Sequence, residues 1–147
     1  MLLGVPKIIP PELLKILSEM GHGDEITLGD ANFPGHTYGQ TVVRMDGHGV
    51  PEILDAVMRF LPLDSYTEKP VGLMAVVPGD PVKPTIWEDY RCILDKHEPK
   101  RPEIEYMERF AFYERAKKAY AVIATGETAI YANILLKKGV VLPEDMA

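Results

Sequence analysis

Pro10-Pro11-Glu12-Leu13-Leu14-Lys15-Ile16-Leu17-Ser18-Glu19-Met20-Gly21-His22-Gly23-Asp24-Glu25-Ile26-Thr27-Leu28-Gly29-Asp30 decides the architecture. The proline pair stands where a helix opens, because a proline has no N–H to give and belongs in the first turn. Leu13, Leu14, Leu17 and Met20 follow at helical spacing on one face, and Gly21 is a natural stop. Ile26-Thr27-Leu28 then reads as a short buried strand that ends at Gly29-Asp30. One helix and one strand within so short a segment form an α/β unit.

The same alternation continues downstream. Ala31 to Tyr38, with Asn32, Pro34 and Gly35, reads as a loop, and Thr41 to Met45 as a strand closed by the turn Asp46-Gly47-His48-Gly49. Pro51 opens a helix whose buried stripe is Ile53, Leu54, Val57 and Met58. Val71 to Val77, bounded by Pro70 and Pro78, reads as a buried strand. Ile86, Trp87, Tyr90, Ile93 and Leu94 give helical spacing, and Glu108 to Lys118 reads as a further helix. Tyr120 to Ala124 is a strand stopped at Gly126, and Ile134 to Leu136 another. The expectation is one α/β domain over residues 1–147, with helices covering a central sheet whose strand order the sequence leaves open. Ligands in such sheets tend to sit beyond the carboxyl ends of strands, which points to Asp30 and to the loops after Val77 and Ala124.

Composition narrows the function classes. The 147 residues suit one domain, with no internal repeat or low-complexity tract. The net charge of −6 argues against a polyanionic partner, and the basic groups at Lys96 to Arg101, Lys117-Lys118 and Lys137-Lys138 read as solvated surface rather than a nucleic-acid site. Cys92 is the lone cysteine, so no intramolecular disulfide forms and a reducing, cytoplasmic setting is expected. Met1 to Lys7 lacks the pattern of a secretory signal, and the apolar runs fall short of a membrane span.

Several residues stand out chemically. His22 lies between two glycines, so its ring is accessible, and neutral imidazole accepts a proton at one nitrogen while donating at the other. The plain alternative is a helix cap in which His22 meets the last carbonyls. Asp30 can accept hydrogen bonds from sugar hydroxyls, orient an imidazole or simply form a turn. Arg109 and Tyr113, four apart, share a helix face; alternatively Arg109 pairs with Glu105 or Glu108, and Phe110 and Tyr113 are core. Tyr131 and Asn133 point the same way if that stretch is extended. Tyr, Asn, Asp and Arg together suit a polyhydroxy ligand. The histidines His22, His36 and His48, even with Asp24, lack metal-ligand spacing, so no metal is expected.

Taken in order, these blocks resemble a known family. Glu19 to Glu25, Asp30-Ala31-Asn32-Phe33-Pro34, Arg109-Phe110-Ala111-Phe112-Tyr113-Glu114-Arg115-Ala116, Ala124-Thr125-Gly126-Glu127 and Tyr131 to Gly139 are similar to the fucose mutarotase and D-ribose pyranase family. The Arg109 to Ala116 block and Leu63-Asp64-Ser65-Tyr66 resemble the fucose branch. The resemblance implies a compact α/β subunit assembled into a ring-like homo-oligomer, a decamer being known in the family. It implies His22 as catalytic proton donor and Tyr113 as a second catalytic residue. By the same resemblance Asp30, Asp64, Arg109, Tyr131 and Asn133 contact the sugar.

The implied activity is interconversion of the α and β anomers of free L-fucose, an isomerase reaction without cofactor or metal. Opening a pyranose removes the proton of the anomeric hydroxyl and delivers one to the ring oxygen, so acid–base groups suffice. The absence of a phosphate-binding glycine loop fits this chemistry. Rival readings are a D-ribose pyranase and a sugar-binding protein without turnover.

Overall fold

The computed structural model describes residues 1–146. Pro11 sits in the first turn of α1 (Pro11–Glu19), which buries Leu13, Ile16 and Leu17. Met20 caps it, donating its N–H to the Ile16 carbonyl. Leu14, expected on the buried stripe, is only half-buried, and Ile16 takes its place. The chain continues through β1 (Glu25–Gly29), α2 (Gly35–Tyr38), β2 (Val42–Met45), α3 (Val50–Met58), β3 (Val71–Met74), α4 (Ile86–His97), β4 (Ile104–Met107), α5 (Arg109–Lys118), β5 (Ala121–Thr125) and β6 (Ile134–Lys137). A 3₁₀ turn spans Pro143–Met146.

The six strands form one sheet in the order β2-β5-β1-β6-β3-β4. β6 runs antiparallel to both its neighbours, β1 and β3, and the other pairings are parallel. Five carboxyl ends therefore emerge at one end of the sheet, together with the amino end of β6. Strands buried on both faces carry near-continuous apolar runs. Ile134 and Leu136 pack with α1, α3 and α4 in the larger core, while Leu135 joins Phe112 of α5, Met74 and Met107 on the opposite face. The expected α/β architecture is present.

Two local expectations change, and one strand, β4, adds to those expected. The loop Ala31 to Tyr38 contains a helical turn, α2, whose end is closed by the Gly39 N–H on the Gly35 carbonyl. The strand expected over Val71 to Val77 stops at Met74, and the Val77 N–H leaves the sheet for the Tyr131 hydroxyl, 3.2 Å away. Finally, β4 lies at the sheet edge, where Tyr106 is exposed and the alternation is mixed.

Candidate active site

At the carboxyl end of β1 the chain turns through Asp30, only 8% exposed. Its N–H donates to Oδ1 of Asn133 at 2.8 Å, and its own Oδ1 accepts from the Asn32 N–H at 3.0 Å. Asp30 is thus a turn-forming aspartate and a placed carboxylate at once. Burial pushes its carboxyl above the ordinary range, against the pull of the amides of Asn32, Ala132 and Phe33. Phe33 packs against Gly29, where a Cβ would fall 2.5 Å from the Phe33 ring, so β1 must end in glycine.

Phe33 also ties Asp30 to α5. Its ring lies 5.7 Å from that of Tyr113, which stacks on Tyr38 at 4.8 Å. Glu108 caps α5 by accepting from the N–H groups of Phe110 and Ala111. Arg109 therefore emerges at the carboxyl end of β4, and its Nε donates to the Tyr113 hydroxyl at 3.2 Å. Pairing of Arg109 with Glu105 or Glu108 is not seen: Glu105 is held by Arg115 and Glu108 by the helix. Phe110 is exposed, and Phe112 is the core ring.

Tyr131 and Asn133 reach the same end from the start of β6. They are not two positions of an extended strand, since Tyr131 has φ of 56°. The Tyr131 hydroxyl donates to Asp80 Oδ2 at 2.7 Å, and this bond raises its pKa. Two donors from α4 hold the segment: Trp87 Nε1 to the Tyr131 carbonyl at 2.8 Å, and the Tyr90 hydroxyl to the Ala132 carbonyl at 2.6 Å. Asp80, Trp87, Tyr90, Phe33 and Tyr38 were not singled out as site residues from sequence. The visible signal was the polar tip on two aromatic residues of a core-facing helix.

His22 and Asp64 lie elsewhere. His22 is in the turn between α1 and β1, beyond the Met20 cap, so it is not a helix cap. Its loop rests on β6 through Gly23, at φ of 87°, whose N–H donates to the Lys138 carbonyl at 2.8 Å. The Asp64 N–H donates to the Lys137 carbonyl beside it. Nε2 of His22 is 3.0 Å from Oδ1 of Asp64, and the imidazole lies 5.2 Å from the Tyr66 ring. Asp64 is buried and His22 is about half exposed. Burial alone would raise the Asp64 carboxyl, but the Tyr66 N–H and the His22 ring outweigh it and hold the carboxyl below its ordinary range.

The seven residues therefore form two groups. Asp30, Arg109, Tyr113, Tyr131 and Asn133 gather at the carboxyl ends of the parallel strands, while His22 and Asp64 sit at the amino end of β1. The five residues of β1, at roughly 3.3 Å each, put about 15 Å of strand between the groups. One copy of the chain does not bring His22 to Asp30. Among the described residues, no three His, Cys, Asp or Glu side chains are grouped to hold a metal ion, and no helix is long and apolar enough to cross a membrane.

Residues 3–141 match the model of the RbsD / FucU transport protein family. The chain belongs to this family. One relative, the L-fucose mutarotase of Actinobacillus pleuropneumoniae serotype 5b, is 49% identical over 140 residues, covering 95% of this chain and 97% of its own length. The crystal structure of the fucose mutarotase in complex with L-fucose from Streptococcus pneumoniae superposes with a TM-score of 0.90 at 51% identity, over 96% of this chain and 100% of that one. A more distant family fold is Bacillus subtilis RbsD complexed with D-ribose, with a TM-score of 0.67 and 26% identity over 91% of this chain and 95% of that one.

Proposed function

We propose that this protein is an L-fucose mutarotase, an isomerase that interconverts α- and β-L-fucopyranose by opening and reclosing the ring. The observation that carries this reading is the likeness, over nearly the whole of both chains, to a fucose mutarotase solved with its sugar. The identity is 51% there, against 26% to the protein solved with D-ribose.

The chemistry needs two proton transfers. A base takes the proton of the anomeric hydroxyl, an acid gives one to the ring oxygen, the bond from C1 to the ring oxygen breaks, and C1 becomes an aldehyde. Rotation about C1–C2 and the reverse steps close the other anomer. His22 is the first proton carrier. Because Asp64 is held ionised, it can only accept, so Nε2–H of His22 donates to it and Nδ1 is left for the sugar. Asp64 on this reading orients the imidazole rather than touching the sugar. Tyr113 is the second proton carrier, its hydroxyl supported by Arg109. Asp30, Arg109, Tyr131 and Asn133 hold the sugar hydroxyls so that the open form recloses before it leaves.

Since the two groups lie at opposite ends of the sheet, the working site is assembled from two copies, His22 of one meeting the sugar-binding group of its neighbour in a ring-like homo-oligomer, a decamer. A reducing cytoplasm suits exposed Cys92, and no cofactor, nucleic acid or membrane enters the reaction. The test is purified protein offered L-fucose and D-ribose side by side, with anomer exchange and pyranose–furanose exchange followed by NMR. Faster turnover of fucose supports the reading, and faster turnover of ribose replaces it with the pyranase.

A further inference from the structure

The segment Tyr131-Ala132-Asn133 lies outside regular structure, yet the Tyr131 carbonyl and hydroxyl, the Ala132 carbonyl and the Asn133 side-chain oxygen are all hydrogen-bonded. Tyr131 takes a left-handed backbone, uncommon for a bulky side chain and kept only where surroundings impose it. An extended chain would turn the two successive carbonyls of Tyr131 and Ala132 to opposite sides. Here both are met from one face of α4, by residues three apart: Trp87 Nε1 at 2.8 Å and the Tyr90 hydroxyl at 2.6 Å. Tyr90 is fully buried, and burial pushes its phenol far above the ordinary range, so it stays a neutral donor. A phenylalanine would fill the same place in the larger core. The hydroxyl's partner is the Ala132 carbonyl, one residue before Asn133, whose side chain takes the Asp30 N–H.

We propose that Tyr90 and Trp87 are positioning residues for sugar binding. They touch no ligand themselves; they fix the backbone of residues 131–133 so that the Tyr131 ring, the Asn133 amide and, through it, Asp30 are presented together. The inference rests on the mutarotase reading for its ligand, but the positioning itself has a sugar-free readout.

The experiment compares Tyr90→Phe, Trp87→Phe and wild type in the assembled protein, each alone and in an Asn133→Ala background. L-Fucose KM and kcat come from NMR exchange, affinity from titration, and backbone order at 131–133 from amide hydrogen exchange without sugar. Each single variant should raise KM and weaken L-fucose binding roughly three- to tenfold, the range of one buried hydrogen bond. Its kcat should stay within about twofold, and amide exchange at 131–133 should quicken. With Asn133 already lost, the same change should move KM less than about twofold, since coupled residues are not additive. A merely structural role would instead lower melting equally in both backgrounds and leave KM alone, and that result overturns the proposal. If Tyr90→Phe fails to assemble, Trp87→Phe, at a half-buried position, decides alone by the same criteria. Should the wild type leave fucose anomers untouched, the mutarotase reading falls, while unchanged amide exchange in both variants would overturn the positioning on its own.

Discussion

Nε2 of His22 stands 3.0 Å from the buried Oδ1 of Asp64, which also accepts the Tyr66 N–H at 3.1 Å. A carboxylate fixed in this way dictates which imidazole nitrogen carries its proton. Replacing His22 with Ala should slow fucose anomer exchange by roughly 10²-fold or more while L-fucose affinity changes far less. Asp64→Asn should cost roughly tenfold in rate by releasing the ring orientation. Exchange rates and titrations on the same samples check both, and a His22→Ala protein working at the wild-type rate would remove His22 from the chemistry.

Asp30 links function to pH-dependent stability. Its folded pKa is raised by burial above the ordinary 3.8. The stability contributed by the protonated group is complete below 3.8 and is lost as pH rises through the folded value. Asp30→Asn, which can still accept from the Asn32 N–H, should therefore melt higher than wild type at pH 7, with the two curves converging as pH falls toward 3.8. The same variant should lose roughly tenfold or more in turnover, the scale of a hydrogen bond to a charged group. Melting curves across pH that stayed parallel would deny the burial penalty.

The division of the site between two ends of the sheet predicts complementation. His22→Ala and Asp30→Asn should each keep roughly a tenth of wild-type activity or less alone. Unfolded, mixed in equal amounts and reassembled, they should recover about a quarter of wild-type activity, because random pairing leaves that share of interfaces with both native residues. A mixture no more active than its components would mean that each copy works alone.

Tyr113→Phe keeps the stack on Tyr38 and Phe33 but removes the hydroxyl that Arg109 supports. Rate should fall roughly tenfold and stability should shift by about 1 kcal/mol or less, the net worth of one partly exposed hydrogen bond. Chemical denaturation beside exchange kinetics separates the two effects, and an unchanged rate would leave Tyr113 as packing only.

Much of this was legible in the residues. Ile53, Leu54, Val57 and Met58 are all buried on α3, as their helical spacing requires, and the Gly29-Asp30 strand end lies where the sheet rule places a ligand. β4 was hidden because Ile104 to Met107 sits at an edge, carries Glu105 and exposed Tyr106, and follows two prolines. Strand order was hidden because the contacts that set it are remote in sequence, as with Ile26 opposite Leu136. The same distance concealed the pairing inside the site. Asp30 and Asn133 could each be named from chemistry, but nothing in either segment says that one donates its N–H to the other. Trp87 and Tyr90 read as core because helical spacing reports burial and is silent on where a buried hydroxyl finds its acceptor.

The central claim meets its most direct test in magnetisation transfer between the anomeric protons of α- and β-L-fucose with and without the protein. The account predicts exchange well above the buffer rate, proportional to protein concentration and lost in His22→Ala. Exchange at the buffer rate in the presence of folded, assembled protein would contradict it.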